Sequence, residues 1–310
     1  MNIRHSPIRR TLSTFLVGCA LWKTPESAHA QLYLGQPTIP RVGEYNATTG
    51  AVISASFITG SIDPGGLMLS GGNLFVTSSS GVAINKYNAT TGALIQNDFI
   101  VTGANTPFGF AISGNNFYVS HPNGGNIGQY NATTGAAINT NFVTGIPSPE
   151  KIAISGNNLF VVENALNVVA QYNLTTGALI NSSFITALNA PIGIAVFGTS
   201  LLVSNNFGNK IGKYDANTGA TINASFITGL NSPVDITLSG AALYVVNKGT
   251  STNTGSVGEY DANTGAPINA SLITGLQFPT TVAVVPEPAS IALLAFGSAA
   301  LLGFVRRRSA

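Results

Sequence analysis

A seven-residue segment that recurs six times constrains the fold of this chain more than any other feature. It first appears as Glu-Tyr-Asn-Ala-Thr-Thr-Gly at 44–50, and later copies begin at residues 86, 129, 171, 213 and 259. Successive tyrosines of the segment are 42, 43, 42, 42 and 46 residues apart. A nearly constant period of this length is typical of repeat architectures, in which each repeat is one supersecondary unit.

The pattern within each repeat predicts four short strands. Apolar residues alternate before each tyrosine, as Val82 and Ile84 do before Tyr87. The Asn or Asp and the Gly of the segment suit a tight turn, because Asn accepts backbone hydrogen bonds and Gly adopts a positive φ. A strand ending in Phe-Ile-Thr-Gly or a close variant follows, then a strand started by a proline, and then an apolar strand such as 74–76. Four strands in this length is the content of one propeller blade.

The two ends of the repeat region predict how the ring closes. Residues 31–285 span close to six periods, and Leu32 precedes Tyr45 by 13 residues, as Leu74 precedes Tyr87. The region therefore begins at the second strand of a blade, and 279–284 is a first strand without a successor. We predict an all-β, six-bladed β-propeller of four-stranded blades, with the sixth blade closed by both termini, which removes exposed sheet edges.

The repeats resemble the YVTN and NHL-type propeller families. The units of those families read roughly as Pro-x-Gly-Ile-Ala, then Leu-Tyr-Val-Ser-Asn, then Ile-x-x-Tyr, and here 191–195 is Pro-Ile-Gly-Ile-Ala and 202–205 is Leu-Val-Ser-Asn. The resemblance covers the whole of 31–285 and implies the propeller fold. It does not define an activity, because these families include binding modules, lyases and hydrolases.

Residues 1–30 have the pattern of a secretory signal peptide. Arg4, Arg9 and Arg10 form a positive region, 11–22 is apolar, and Ala28-His29-Ala30 is an A-x-A cleavage site with Ala28 and Ala30 as its small residues. A second interpretation is that Leu16-Val17-Gly18-Cys19 resembles a bacterial lipobox, in which Cys19 would be lipidated. Cys19 is the only cysteine of the chain, so a disulfide framework is excluded.

The segment 286–310 closely resembles the PEP-CTERM protein-sorting signal of bacteria in all three of its parts. It begins with Pro286, Glu287 and Pro288, continues with the uncharged stretch 289–305, and ends with Arg306, Arg307 and Arg308. Seventeen uncharged, mostly apolar residues followed by arginines fit a transmembrane helix oriented by the positive-inside rule. The resemblance implies an exported protein that the tail anchors in the inner membrane in transit, an exosortase-type enzyme as partner, and a final location at the cell surface or outside the cell. An ordinary C-terminal anchor is the alternative.

Charge argues against nucleic acid as a partner. Residues 31–285 contain six basic and nine acidic side chains, a net charge of −3, and the remaining basic residues lie in the two terminal segments. Without a basic patch there is no electrostatic footprint for a phosphate backbone.

The loops that enter the first strand and leave the second strand of each blade surround the central channel, and they contain the candidate ligand residues. The set is Asp63, His121, Glu150, Lys151, Glu163 and Asp235. Lys151 and Asp235 each lie two residues after a proline, where other blades have Gly66, Gly109, Gly193 or Thr281, so we expect them to face each other near the axis. The four acidic residues are a candidate site for Ca²⁺ or Mg²⁺, with no metal specified by their spacing. The competing interpretation of each is a structural ion pair or a solvated charge.

These observations favour a binding or structural module of the cell surface or extracellular matrix over an enzyme. Its partners would be extracellular polysaccharide or protein, and no cofactor is implied. The alternative is a metal-dependent hydrolase or lyase with its site over the propeller channel.

Overall fold

Twenty-four strands form six antiparallel four-stranded sheets in the computed structural model, which describes residues 30–60, 62–78, 81–103 and 105–285. The first twelve are β1 (Gln31–Gln36), β2 (Arg41–Asn46), β3 (Val52–Thr59), β4 (Ile62–Ser70), β5 (Asn73–Ser78), β6 (Ala83–Asn88), β7 (Leu94–Val101), β8 (Phe110–Ser113), β9 (Asn116–His121), β10 (Asn126–Asn131), β11 (Ala137–Thr144) and β12 (Pro149–Ser155). The others are β13 (Asn158–Glu163), β14 (Val168–Asn173), β15 (Leu179–Ile185), β16 (Pro191–Phe197), β17 (Ser200–Asn205), β18 (Lys210–Asp215), β19 (Thr221–Ile227), β20 (Pro233–Ser239), β21 (Ala242–Asn247), β22 (Gly255–Asp261), β23 (Pro267–Leu276) and β24 (Thr281–Val285).

The sheets are the blades of a six-bladed β-propeller. Five blades take four consecutive strands, and the remaining blade has the order β24-β1-β2-β3. The innermost strands contact one another in sequence around the axis, from β4 through β8, β12, β16 and β20 to β24 and back to β4. The predicted all-β fold, the blade number and the closure by both termini are confirmed.

The repeated segment forms the turn between the third and fourth strands of every blade. The side-chain oxygen of Asn46 accepts hydrogen bonds from the backbone N–H groups of Thr48 and Thr49, at 3.0 and 2.8 Å. The same pair of bonds recurs at Asn88, Asn131, Asn173, Asp215 and Asp261. The predicted turn role of the Asn or Asp is therefore confirmed.

The turn glycine also docks each blade onto the one before it. Gly135 has φ +74°, and a methyl group placed on it would overlap the carbonyl oxygen of Phe99 in the preceding blade. Gly50 makes the equivalent approach to the carbonyl of Leu272, across the junction between the last and first blades. Glycine is required at this position both for the left-handed backbone and for the close contact.

The side chain of the repeated tyrosine lies along the third strand of its blade and extends from the turn end toward the mouth end. In four of the six copies the residue two positions before the tyrosine is glycine. A methyl group on Gly212, for example, would overlap the hydroxyl of Tyr214, so the glycine provides space for the tyrosine side chain. In another blade, the hydroxyl of Tyr172 donates a 2.9 Å hydrogen bond to Oε1 of Glu163, at the mouth end of the second strand. The tyrosine is thus a core residue of the blade.

Two faces of the ring follow from this arrangement. The turn face carries the repeated turns and the short turns between first and second strands, such as 156–157 and 240–241. The mouth face carries the loops that enter the first strands and leave the second strands, such as 186–190 and 206–209. Gln31 pairs with both Asn46 and Val285, which places both described ends of the chain on the turn face.

Candidate functional site at the channel mouth

A ring of six buried polar side chains underlies the mouth face, one at the end of each second strand. Its members are Gln36, Ser78, His121, Glu163, Asn205 and Asn247. The equivalence is visible in the register, since His121, Glu163 and Asn205 each pair with the first residue of the following strand. Buried polar groups require hydrogen-bond partners, so the partners decide which members are available to a ligand.

The two asparagines of this ring hold the loops that lead into their own blades. Asn205 Oδ1 accepts a 2.9 Å hydrogen bond from the backbone N–H of Asn189, and Asn247 Oδ1 accepts one of 3.2 Å from that of Asn231. Their side chains are therefore committed to the architecture of the mouth.

Glu163 is committed in the same way. Its carboxylate accepts the hydrogen bond of Tyr172, and its side chain is buried. Burial raises the pKa of Glu163, and the Tyr172 hydroxyl opposes that shift. The hydrogen bond thus commits Glu163 to positioning the hydroxyl of Tyr172.

Among the six buried polar residues, His121 has unmet hydrogen-bonding capacity. The residue is 1% exposed, and neither Nδ1 nor Nε2 of its imidazole has a hydrogen-bond partner of good geometry. Burial lowers its pKa to about 4, with a smaller opposing effect from Asn126. Asn126 itself donates to the carbonyl of Thr140 at 2.7 Å. His121 is consequently a neutral imidazole at physiological pH.

Lys151 and Asp235 meet at the axis, as their spacing after the prolines predicts. Lys151 Nζ lies 3.2 Å from Asp235 Oδ2, and both side chains are less than a tenth exposed. Thr281 Oγ1 donates to the same carboxylate oxygen at 2.8 Å, and the backbone N–H of Val282 adds a contact of 3.1 Å. The Lys151 ammonium also lies 5.1 Å from the ring centre of Phe108. The pair is hydrogen-bonded on all sides, as a buried ion pair must be.

The ion pair lies at one end of the central channel. The cavity there has a volume of about 290 Å³ and reaches the innermost strands of all six blades. Its aliphatic lining includes Leu67, Ile152, Ile194, Ile236 and Val282. Because Lys151, Asp235 and Thr281 bond to one another, their polar groups do not point free into this space.

The other two candidate residues are placed differently. Asp63 is exposed, and its backbone carbonyl accepts a hydrogen bond from Thr77. Glu150 is half-buried, with its carboxylate 3.5 Å from the Ser148 hydroxyl. Burial raises the pKa of Glu150, while the neighbouring Lys151 and Ser148 lower it.

The positions of the potential metal ligands test the alternative that the protein is a metal-dependent enzyme. Across 30–60, 62–78, 81–103 and 105–285, no three His, Cys, Asp or Glu side chains are grouped so that they would hold a metal ion. Of the six candidates, the structure pairs Lys151 with Asp235, and it ties Glu163 to a tyrosine. The hydrolase or lyase alternative is not favoured.

Sequence reasoning missed an exposed aromatic residue on the mouth face. Phe207 is 75% exposed, in the loop after β17. An aromatic side chain in a Gly- and Asn-rich loop, Asn-Asn-Phe-Gly-Asn at 205–209, was the available signal. It also missed Phe108, whose ring supports Lys151.

The comparisons with known proteins agree with this architecture. Residues 284–309 match the PEP-CTERM protein-sorting motif. No curated protein matches the chain significantly. The chain is similar to a propeller in the crystal structure of a nidogen/laminin complex (14% identity, 83% of this chain and 99% of that one, TM-score 0.67). It is also similar to a Bacteroides caccae protein of unknown function (16% identity, 84% and 100%, TM-score 0.66) and to a putative 6-phosphogluconolactonase from Bacteroides uniformis (16% identity, 83% and 100%, TM-score 0.62).

The chain is thus a six-bladed β-propeller followed by a PEP-CTERM sorting motif. The motif implies an exported protein that is processed at the membrane, and an exosortase is the enzyme that recognises such a signal. At these identities the structural similarities establish the fold alone. Residues 1–29 of the predicted signal peptide, including Ala28 and Cys19, and the sorting tail from Pro286 onward lie outside the described residues. Ala30, the last residue of the predicted cleavage site, is described: it is buried, and its carbonyl accepts a 2.8 Å hydrogen bond from the backbone N–H of Ala47. Within the described ranges there is no helix long and apolar enough to cross a membrane.

Proposed function

We propose that this protein is a surface-delivered propeller, of the YVTN/NHL type, that acts as a binding or structural module of the cell surface or extracellular matrix. In this proposal 1–30 is removed as a signal peptide, 286–310 holds the protein in the inner membrane, and an exosortase-type enzyme then processes the tail. The match of 284–309 to the sorting motif supports this route.

The observation that carries the binding role is the difference between the two faces. The turn face repeats nearly the same residues in every blade, with Asp in place of Asn in two of them, and those residues serve turns and blade docking. The mouth face varies from blade to blade, and it presents Phe207 at 75% exposure. Exposed aromatic side chains are enriched where proteins bind partners. The mouth face is therefore the proposed ligand surface, for extracellular polysaccharide or protein.

A capture experiment tests the proposal. The purified protein is immobilised and exposed to extracellular polysaccharide and to extracellular protein from the source culture, as separate fractions. We expect one fraction to bind, and Phe207→Ser to reduce the bound amount several-fold because a large apolar contact is lost. Thr90→Ala, an exposed change on the turn face, is the matched control. Equal binding by both variants, or binding by neither fraction, would contradict the assignment of the mouth face.

A further inference from the structure

The chain leaves the propeller at the centre of the turn face. Val285 is the last residue of β24 and pairs with Gln31, next to the turn at Asn46. β24 is the innermost strand of its blade, and Val284 lines the central channel. The segment that follows therefore starts beside the propeller axis, on the face opposite the channel mouth.

The connection to the apolar part of the sorting tail is short. Only Pro286, Glu287 and Pro288 separate Val285 from the uncharged stretch 289–305. The four Cα–Cα steps from Val285 to Ala289 span at most about 14 Å when fully extended. The headgroup layer between water and hydrocarbon takes up roughly 6 Å of that distance, which leaves about 8 Å.

A short central tether limits how the disc can be oriented. Four strands spaced about 4.8 Å apart place the outermost strand of a blade roughly 14 Å from the innermost one. To stand on its rim, the propeller would have to raise its exit point by more than this distance above the bilayer. To bring the mouth face to the membrane, the tail would have to pass around the whole disc. The available chain is too short for either orientation.

We propose that the propeller lies flat on the membrane while the tail is in place, with the turn face against the lipid headgroups and the channel mouth directed away from them. The inference rests on the membrane tether of the proposed function, and it adds which face is presented. Processing of the tail would then occur under the centre of the disc.

The part of each outer strand that lies near the turn face has a composition that suits contact with lipid headgroups. Each outer strand carries an isoleucine three residues after its turn glycine, and all six are at least half exposed: Ile53, Ile95, Ile138, Ile180, Ile222 and Ile268. Three residues of strand place these side chains roughly 10 Å from the turns, which is the depth that interfacial proteins reach at the headgroup boundary. The six outer strands contain a single charged residue, Asp98.

Two exposed alanines provide matched probes of the orientation. Ala165 lies in a mouth-face loop, and Ala241 lies in a turn-face turn near the axis. Each is changed to cysteine in the full chain, with the wild-type chain, whose Cys19 lies in the predicted signal, as the labelling blank. Membranes from cells that lack the sorting enzyme are treated with a maleimide carrying a polyethylene glycol chain, and the rate is divided by that of the small reagent N-ethylmaleimide.

We expect Ala165→Cys to react with the bulky reagent in membranes at the rate seen after detergent solubilisation. Ala241→Cys should react at least about ten-fold more slowly in membranes than after solubilisation, because a tether of about 14 Å leaves no room for the polymer. Inserting about 20 Gly and Ser residues after Val285, which adds roughly 25 Å of flexible chain, should abolish that protection.

Two distinct results would overturn the inference. Equal labelling of Ala241→Cys and Ala165→Cys in membrane-bound protein contradicts the flat orientation and leaves the tether intact. Recovery of the unprocessed chain in the soluble fraction contradicts the tether itself, and with it the proposed route of delivery.

Discussion

Lys151 and Asp235 form a 3.2 Å ion pair between two blades that are not neighbours in the ring. The blade between them has Gly193 at the equivalent position, and a methyl group there would come within 3.1 Å of the Asp235 Cα. The absence of a side chain at Gly193 therefore leaves room for the backbone that carries Asp235. The ion pair thus reaches across the position of the blade between its two partners.

Removing one partner of this pair should be strongly destabilising. Lys151→Met leaves a buried carboxylate without its cation, and we expect it to lower the free energy of unfolding by about 3–5 kcal/mol. Asp235→Leu should have a similar effect, because it leaves the buried ammonium of Lys151 without its anion. The double variant Lys151→Met/Asp235→Leu should recover most of the loss, since no unpaired charge remains. Urea unfolding of the three variants measures this, and strictly additive losses would show that the two residues do not interact.

Two glycines separate the effect of backbone conformation from the effect of blade docking. Gly135 and Gly145 both have φ +74°, but a methyl group on Gly145 meets nothing within 4 Å. Gly145→Ala should therefore cost only the left-handed backbone, about 1–2 kcal/mol. Gly135→Ala should cost clearly more, because its methyl group overlaps the Phe99 carbonyl. Thermal unfolding of both variants provides the comparison, and equal melting temperatures would argue against the docking role.

His121 predicts a loss of stability in mild acid. Its pKa is about 4 in the folded protein and 6.5 in an unfolded chain, so the unfolded state binds the proton first as pH falls. Stability should decrease from about pH 6.5 down to pH 4 and then level off, with a total change of about 3 kcal/mol. His121→Asn, the residue found at this position in two other blades, should not show that decrease. A pH series of urea midpoints for both proteins tests the assignment.

The two turn aspartates predict a separate loss at lower pH. Hydrogen bonds from Thr218 and Asn217 lower the pKa of Asp215, and those from Thr264 contribute most to lowering the pKa of Asp261. A lowered carboxylate pKa stabilises the fold above the unfolded value of 3.8, and this contribution is lost as pH falls through the folded value. Asp215→Asn/Asp261→Asn should remove this loss in acid and lower stability at pH 7 only slightly, because the amide oxygen of Asn makes the same two turn bonds, as at Asn46, without the charge. Melting temperatures from pH 5 to pH 2 check this, with Asn131→Asp as the reverse control.

Divalent cations should leave the melting temperature unchanged. The carboxylate of Asp235 is bonded to Lys151, and that of Glu163 to Tyr172, so a metal would have to displace existing partners. Ca²⁺ and Mg²⁺ at millimolar concentration are added in separate thermal-shift measurements. A stabilisation that disappears in the Glu150→Gln/Glu163→Gln/Asp235→Asn variant would instead revive the metal-dependent alternative.

The roles of the Asn or Asp, the Gly and the proline in each repeat could be predicted from the sequence, because each role depends only on neighbouring residues. Asn46 bonds to the backbone two and three residues later, and Gly50 has the positive φ that its turn requires. A local rule repeated six times counts the blades and places the split one. It also placed Lys151 and Asp235 at equivalent positions near the axis.

The role of the turn glycine in docking one blade onto the next could not be predicted from the sequence. Its contact with the preceding blade joins Gly135 to Phe99, and no periodicity specifies the rotation of one blade against the next. The same limit applies to the candidate site, where only assembled blades show that Glu163 bonds Tyr172 and that His121 is buried without a good partner.

The sequence by itself determined the fold class, the number of blades, the closure of the ring and the sorting motif, because each depends on neighbouring residues or on a constant period. Only the tertiary structure decided which candidate side chains are committed to the scaffold, and that the sorting tail starts at the centre of the turn face. Those properties depend on distances between residues that are far apart in the chain, and such distances are fixed only when all six blades pack around one axis.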